Sequence, residues 1–201
     1  MTETFRSMTR SGGMARTSAW CSRHGWLVGL VWGLAESTVF FIVPDVGVAF
    51  IAAMSPRDWW KAAVASIVGT LIGAVILLLA IQLWLGPYAN HLLLRVPGIH
   101  PASLALASTR VSDHGAGALL LAAFQGIPYK VYATELTLAG ISLPVILLWT
   151  IPSRALRLLP IAAAAGVGGR ILQGSLRRHF RLWVGAYVLF WGGFYAWYWT
   201  R

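Results

Sequence analysis

Acidic residues are scarce in this chain: six Asp and Glu stand against 16 Lys and Arg, and charged residues of both signs make up only 11% of 201 positions. With 58% apolar residues and a mean hydropathy of +0.69, so little charge cannot cover the surface of a soluble domain, which points to an integral membrane protein. Cysteine is nearly absent. Cys21 alone excludes an internal disulfide framework and leaves metal-thiolate chemistry without ligands. It also has no apolar run before it, so it reads as a free thiol and not as a lipoprotein cleavage site. Lysine is rare as well, with Lys61 and Lys130 among 14 arginines. The net charge of +10 raises nucleic-acid binding, but the arginines fall between apolar blocks without forming a patch, so no nucleic-acid partner is expected. No histidine lies inside the apolar blocks. His91, His100 and His114 lack tight ligand spacing and a carboxylate-rich setting, so no metal or other cofactor is expected.

What the chain has is long apolar runs and well-placed breakers. Residues 1–24 carry Arg6, Arg10, Arg16, Arg23 and His24 against Glu3 and read as a basic cytoplasmic tail, disordered to about Thr17, with Met8 and Met14 as alternative starts. A cleavable signal is not expected, because the apolar stretch that follows is too long and contains Glu36 and Asp45. The membrane domain is expected over 25–201. Pro44 divides the block 26–54 into pieces of about 18 and 10 residues, and the second is too short to span a core that needs about 20. A re-entrant hairpin accommodates this; one long, tilted, proline-kinked helix is the alternative. After the connection SPRDWWK, residues 62–85 form an uninterrupted apolar helix with Gly69 and Gly73 spaced for close packing, ended by Pro87. Residues 88–115 are mixed and belong outside the hydrocarbon. Residues 116–141 are a second broken block, interrupted at Gly126 and Pro128, and a helix over 143–169 follows. Residues 182–200, dense in Trp and Tyr, make a last transmembrane helix.

The order broken block, helix, loop, broken block, helix describes a duplicated unit over 25–86 and 116–170. If each broken block returns to its own side and the N-terminus is cytoplasmic, ten bases (Arg6, Arg10, Arg16, Arg23, Arg57, Lys61, Arg170, Arg177, Arg178 and Arg181) lie inside. Three (Arg95, Arg110 and Arg201) lie outside. That bias agrees with the positive-inside rule and makes the two units inverted, the arrangement from which transporters build midplane sites. The predicted fold class is thus all-α: two inverted hairpin-plus-helix units with an added C-terminal helix.

Six ionisable residues remain within the apolar blocks: Glu36, Asp45 and Glu135, and Lys130, Arg154 and Arg157. Unpaired, they would cost about 18 kcal/mol at roughly 3 each, so mutual pairing across the hairpins is expected. Arg154 and Arg157, three apart, share a helix face. Glu36 and Asp45 lie on opposite faces of a straight helix, and only a break near Pro44 aims both inward. Snorkelling to the interface is the alternative for Asp45, Arg157 and Glu36.

The run AEST followed by VPD, the linker SPRDWWK, then FQGIPYKVYA, LAG, SRALR and a basic segment ending RRHF resemble the DedA family of VTT-domain (SNARE-associated-type) membrane proteins, in particular its YqaA-like branch, over about residues 26–181. The resemblance implies a multi-pass bacterial inner-membrane protein with two opposed re-entrant loops, moving a lipid carrier such as undecaprenyl phosphate, or a phospholipid, between leaflets with proton coupling. It implies roles for Glu36, Asp45 and Lys130, and more loosely for Arg154 and Arg157. Gln125 stands where an arginine often precedes the loop proline Pro128, and Ser153 where a glycine is common.

Three function classes follow. In a flippase-like transporter, Lys130, Arg154 and Arg157 hold a lipid phosphate, Glu36 or Asp45 exchanges a proton, and Glu135, Gln125, Pro128 and Tyr129 support the site. The partners are then membrane lipids and protons, and the oligomeric state stays open. A scaffold would use the Gly and Ala faces for helix contacts. A lipid phosphatase would need a nucleophile and an acid-base pair that the membrane blocks do not offer, so an enzyme is not expected.

Overall fold

The first apolar block breaks where Pro44 predicts. In the computed structural model, which describes residues 2–38 and 43–199 and the side chains of 13–38 and 43–198, helix α1 (Thr2–Thr38) ends before the proline and α2 (Asp45–Met54) starts immediately after it. At the end of α1 the hydroxyls of Ser37 and Thr38 donate to the carbonyls of Leu34 and Ala35, satisfying acceptors that lose their helical donors there. All regular elements among the described residues are helical.

Helix α2 doubles back along α1. Gly47 faces the ring of Trp32 and Ile51 lies against Gly25, while Met54 joins a buried cluster with Met14, Cys21 and Leu176. The following connection is tied to the middle of α1, because Ser22 Oγ donates to Asp58 at 2.8 Å. Lys61 donates to the same carboxylate at 2.7 Å. The Lys61 ammonium, followed by the Ser22 hydroxyl, holds the Asp58 carboxyl below the usual carboxylate range. A carboxyl lowered in the folded state stabilises above its unfolded pKa and loses that contribution as pH falls through the folded one. This exposed tether is worth less than about 1 kcal/mol. Below about pH 4 the melting temperature in detergent is expected to decline by a small step that Asp58→Asn lacks.

Helix α3 (Trp59–Ala80) then runs parallel to α1. An added Cβ at Gly69 would collide with the Leu30 carbonyl, one at Gly73 with Ser37 and the Leu34 carbonyl, and ones at Gly29 and Gly33 with the carbonyls of Ala62 and Ser66. Four glycines, two on each helix, therefore bring the backbones together, and Thr70 Oγ1 donates across to the Gly33 carbonyl at 3.5 Å. Gly69→Val is expected to destabilise by about 1–3 kcal/mol through overpacking. Gly168→Val, where an added Cβ meets nothing within 4 Å, is the matched control and should melt like the wild type.

Beyond Ala80 the helical path does not end at Pro87. It widens into a π turn (Ile81–Leu85), tightens into a 3-10 turn (Gly86–Tyr88) that takes the proline in its first turn, and continues as α4 (Ala89–Leu93). The mixed segment 88–115 contains α5 (Pro101–His114), whose Leu104, Ala107 and Val111 are buried. Next come α6 (Ala118–Ala122), a break over 123–128, and α7 (Tyr129–Leu138). Gly126 at φ +71° and Gly140 at φ +78° make the turns before and after α7. Helix α8 (Leu143–Ile171) covers the helix expected over 143–169 and continues through Pro152 and Pro160; internal prolines are tolerated in apolar helices whose neighbours re-satisfy the freed groups. It lies antiparallel to α3, with Gly166 against Trp59 and Leu158 and Ala162 clustered with Ala63 and Ile67. Short α9 (Gln173–Arg178) leads to α10 (Phe180–Trp199).

Two helical stretches among the described residues are long and apolar enough to cross a membrane, Trp59–Leu93 and Leu143–Ile171. Helix α10 covers the expected last span but is not one of them. The basic tail also differs from expectation. Helix α1 begins at Thr2 instead of near residue 25, Met14 is buried, and Gly13 packs on Phe180. The side chains of Arg6 and Arg10, and Arg201, lie outside the described residues.

Candidate functional site

Because the chain breaks between α1 and α2, Glu36 ends one helix and Asp45 begins the next, and both turn towards α8. There Arg154 and Arg157 present two guanidinium groups one turn apart. Arg154 Nη2 pairs with Glu36 Oε2. Arg157 grips Asp45 with both arms, Nη2 to Oδ2 at 2.6 Å and Nε to Oδ2 and Oδ1 at 3.0 and 3.2 Å. Glu36, Asp45 and Arg154 are buried, which removes the snorkelling alternative for the two acids. Acid and base meet across the α1–α2 break as the cost of buried charge requires.

Helix α7 supplies the second side. Pro128, at φ −58° and ψ 140°, sets the extended residue from which α7 starts. Tyr129 follows, and its ring lies under the Arg154 guanidinium, 4.6 Å from centroid to Cζ. The Thr150 hydroxyl gives its proton to the Ile146 carbonyl at 2.7 Å, so the Tyr129 phenol is the donor in the 2.7 Å bond between Tyr129 and Thr150. Ser153 Oγ donates to the Leu119 carbonyl at 2.5 Å and fastens α8 to α6. Gln125 accepts from the Tyr132 hydroxyl at 2.7 Å, which latches the α6–α7 break onto α7. Lys130 is 1% exposed and within electrostatic reach of Glu36 and Arg154. Glu135 is not part of this group: it is buried farther along α7, hydrogen-bonded to Asn90 and Ser108.

The pairs line a cavity of about 160 Å³ between the two breaks. Glu36, Asp45, Arg154 and Arg157 form its polar wall and Gly126 to Tyr129 another. The third wall is α10, through Trp191, Phe194, Tyr195 and Tyr198. This last contribution is one the sequence reading missed, since it treated α10 as an added helix. The Tyr195 hydroxyl accepts from the Val43 N–H at 2.9 Å, and the Tyr187 hydroxyl donates to the Val46 carbonyl at 2.6 Å. The first satisfies a backbone N–H in the break, and the second ties α10 to the first turn of α2. Tyr187, Trp191, Tyr195 and Tyr198 recur at spacings of four, four and three, one face of a helix, and that stripe was the available signal.

Chemically, the arrangement offers two guanidinium groups to an anion at a place where they are already held by carboxylates. Arg154 Nε is buried and has no acceptor among the described residues. Among the described residues, no nucleophile is paired with a general base in this cavity, and its carboxylates are engaged by arginines. Comparison with known protein families, curated proteins and solved structures finds no match to the chain.

Proposed function

We propose that this chain is a DedA-like multi-pass protein of a bacterial inner membrane that moves an anionic lipid, a phospholipid or a lipid carrier such as undecaprenyl phosphate, between leaflets. In this reading the α1–α2 and α6–α7 breaks dip in from opposite faces and meet at the midplane. Arg154, Arg157 and Lys130 bind the phosphate, and Glu36 or Asp45, released from its arginine, takes a proton as the phosphate takes its place.

The observation that carries the proposal is the pair Arg154 and Arg157 lining an enclosed cavity halfway along an apolar helix, with a buried guanidinium donor still lacking an acceptor. The two arginines and two carboxylates that line the cavity balance in charge, and Lys130, buried and not part of the lining, adds one positive charge within electrostatic reach of Glu36 and Arg154, which favours an anion. The ten-residue helices α2 and α7 both begin at the cavity wall, so the positive ends of their dipoles add to the same potential. A scaffold reading is weakened by the glycine faces of α1 and α3, which are consumed against each other.

Leaflet exchange in proteoliposomes tests it. Purified protein reconstituted with a fluorescent anionic phospholipid should accelerate exchange over protein-free vesicles, with a dependence on the pH gradient. No acceleration for phospholipid and for polyprenyl phosphate alike would refute it.

A further inference from the structure

The charged cavity does not end at Asp45 and Arg157. A second, larger cleft of about 430 Å³ lies on their far side, and Asp45, Arg157, Ala123 and Gly126 line both spaces. The rim of this cleft is apolar: Phe124 is 73% and Leu156 47% exposed, and Pro160 is exposed beside them. Nothing crowds its floor at Gly126, where an added Cβ would meet no atom within 4 Å. The two ion pairs differ in the same sense. The Arg157 side chain, facing the cleft, is 20% exposed and that of Arg154 only 5%.

The height of the cleft decides what can use it. Arg157 stands at the midpoint of α8, with Leu143 and Ile171 each 14 residues away. That is about 21 Å of helix in either direction. On a helix apolar enough to cross a membrane, an opening at this level with an apolar rim faces hydrocarbon and not water. A water-borne anion has no route to it, whereas an anion carried on an apolar tail does.

We propose that the cleft between the α6–α7 break and α8 is a lateral portal that holds the apolar tail of a phosphate-bearing lipid. Its head group passes the Asp45–Arg157 pair into the inner cavity. The proposal rests on the transport reading above and narrows it, since the ligand must be membrane-borne and the tail stays outside. Charge complementarity selects the head group, because Arg157 is the one cation on the cleft lining among the described residues and its guanidinium can exchange a carboxylate for a phosphate with similar bidentate geometry.

Photolabelling of the full-length protein in proteoliposomes tests the portal. The probes are a phosphatidylglycerol with an acyl-chain diazirine and a diacylglycerol with the same chain and no phosphate, with adducts mapped by mass spectrometry. The phosphatidylglycerol probe should label residues 123–126 and 156–161 at least tenfold above the diacylglycerol probe. Excess unlabelled phosphatidylglycerol should compete, and inorganic phosphate at equal concentration should not. Ala123→Trp, which puts an indole where the two cavities join, should lower both labelling and leaflet exchange at least tenfold with an unchanged melting temperature. Gly168→Val, which adds a side chain into open space away from both cavities, should leave both undiminished. Equal labelling by both probes would mean ordinary lipid contact and overturn the proposal, as would competition by inorganic phosphate. Should Ala123→Trp fail to fold, the probe ratio and the competition still decide. Undiminished exchange with a folded Ala123→Trp would remove the portal and leave the transport reading standing. If the wild-type protein showed no exchange, that reading would fall, and the labelling ratio would still decide whether the cleft holds a lipid.

Discussion

Arg154→Met is expected to destabilise the protein by about 3–5 kcal/mol, because it leaves the Glu36 carboxylate buried among apolar residues without its guanidinium. A loss of that size is a large part of a typical folding stability, so little monodisperse protein should survive extraction. Combining it with Glu36→Gln removes both charges, and most of the loss should return, since an uncharged pair of similar volume is often as stable as a buried ion pair. Thermal unfolding followed by gel filtration in detergent reads the effect. The double variant should fold and be unable to exchange lipid. Full exchange by that variant would mean that Glu36 and Arg154 only neutralise each other.

Lys130→Met should show the opposite balance. Removing this charge leaves the Glu36–Arg154 and Asp45–Arg157 pairs in place, so the cavity loses the positive charge beside it and the fold is expected to lose less than with Arg154→Met. Leaflet exchange of an anionic lipid should fall at least tenfold, because the excess positive charge is what favours the anion. Lys130→Arg should retain part of the activity, as a guanidinium binds phosphate with altered geometry. Lys130→Met combined with Glu36→Gln should recover protein level without recovering transport. Recovery of transport in that combination would reduce Lys130 to a counter-ion and leave the site to Arg154 and Arg157.

Much of this site was legible because buried charge is expensive. Six ionisable residues in apolar blocks had to find partners, and the spacing of Arg154 and Arg157 put two bases on one face. Pro44, Gly126 and Pro128 were read as breaks, and α2 starts after Pro44, α7 starts after Pro128, and Gly126 turns the chain between α6 and α7. Partner choice was not legible. Glu135 finds the polar side chains of Asn90 and Ser108 instead of a base, through contacts set by α4 and α5 that no local pattern announces. Pro87 misled in the other direction. It was read as the end of a helix and is absorbed by a π turn and a 3-10 turn, because an apolar environment favours keeping backbone groups in helical bonds. The tail before residue 25 looked too polar to order. Its helix is held by tertiary contacts of Gly13, Met14 and Cys21 with Leu176 and Phe180, which lie more than 150 positions away. The aromatic stripe of α10 carried a helical period, but nothing in the sequence said that it would close a cavity.

That the two breaks enter the membrane from opposite faces is the premise of the transport proposal, and side-specific labelling tests it most directly. In a Cys21→Ala background, single cysteines replace Arg57 between α2 and α3, Ala102 at the start of α5 and Ser175 in α9, all at exposed positions. An impermeant maleimide added to intact cells should label the cysteine at 102 and should reach those at 57 and 175 only after permeabilisation. Labelling of the cysteine at 57 from outside would mean that α1 and α2 together cross the membrane once, and the paired, inverted units would be wrong.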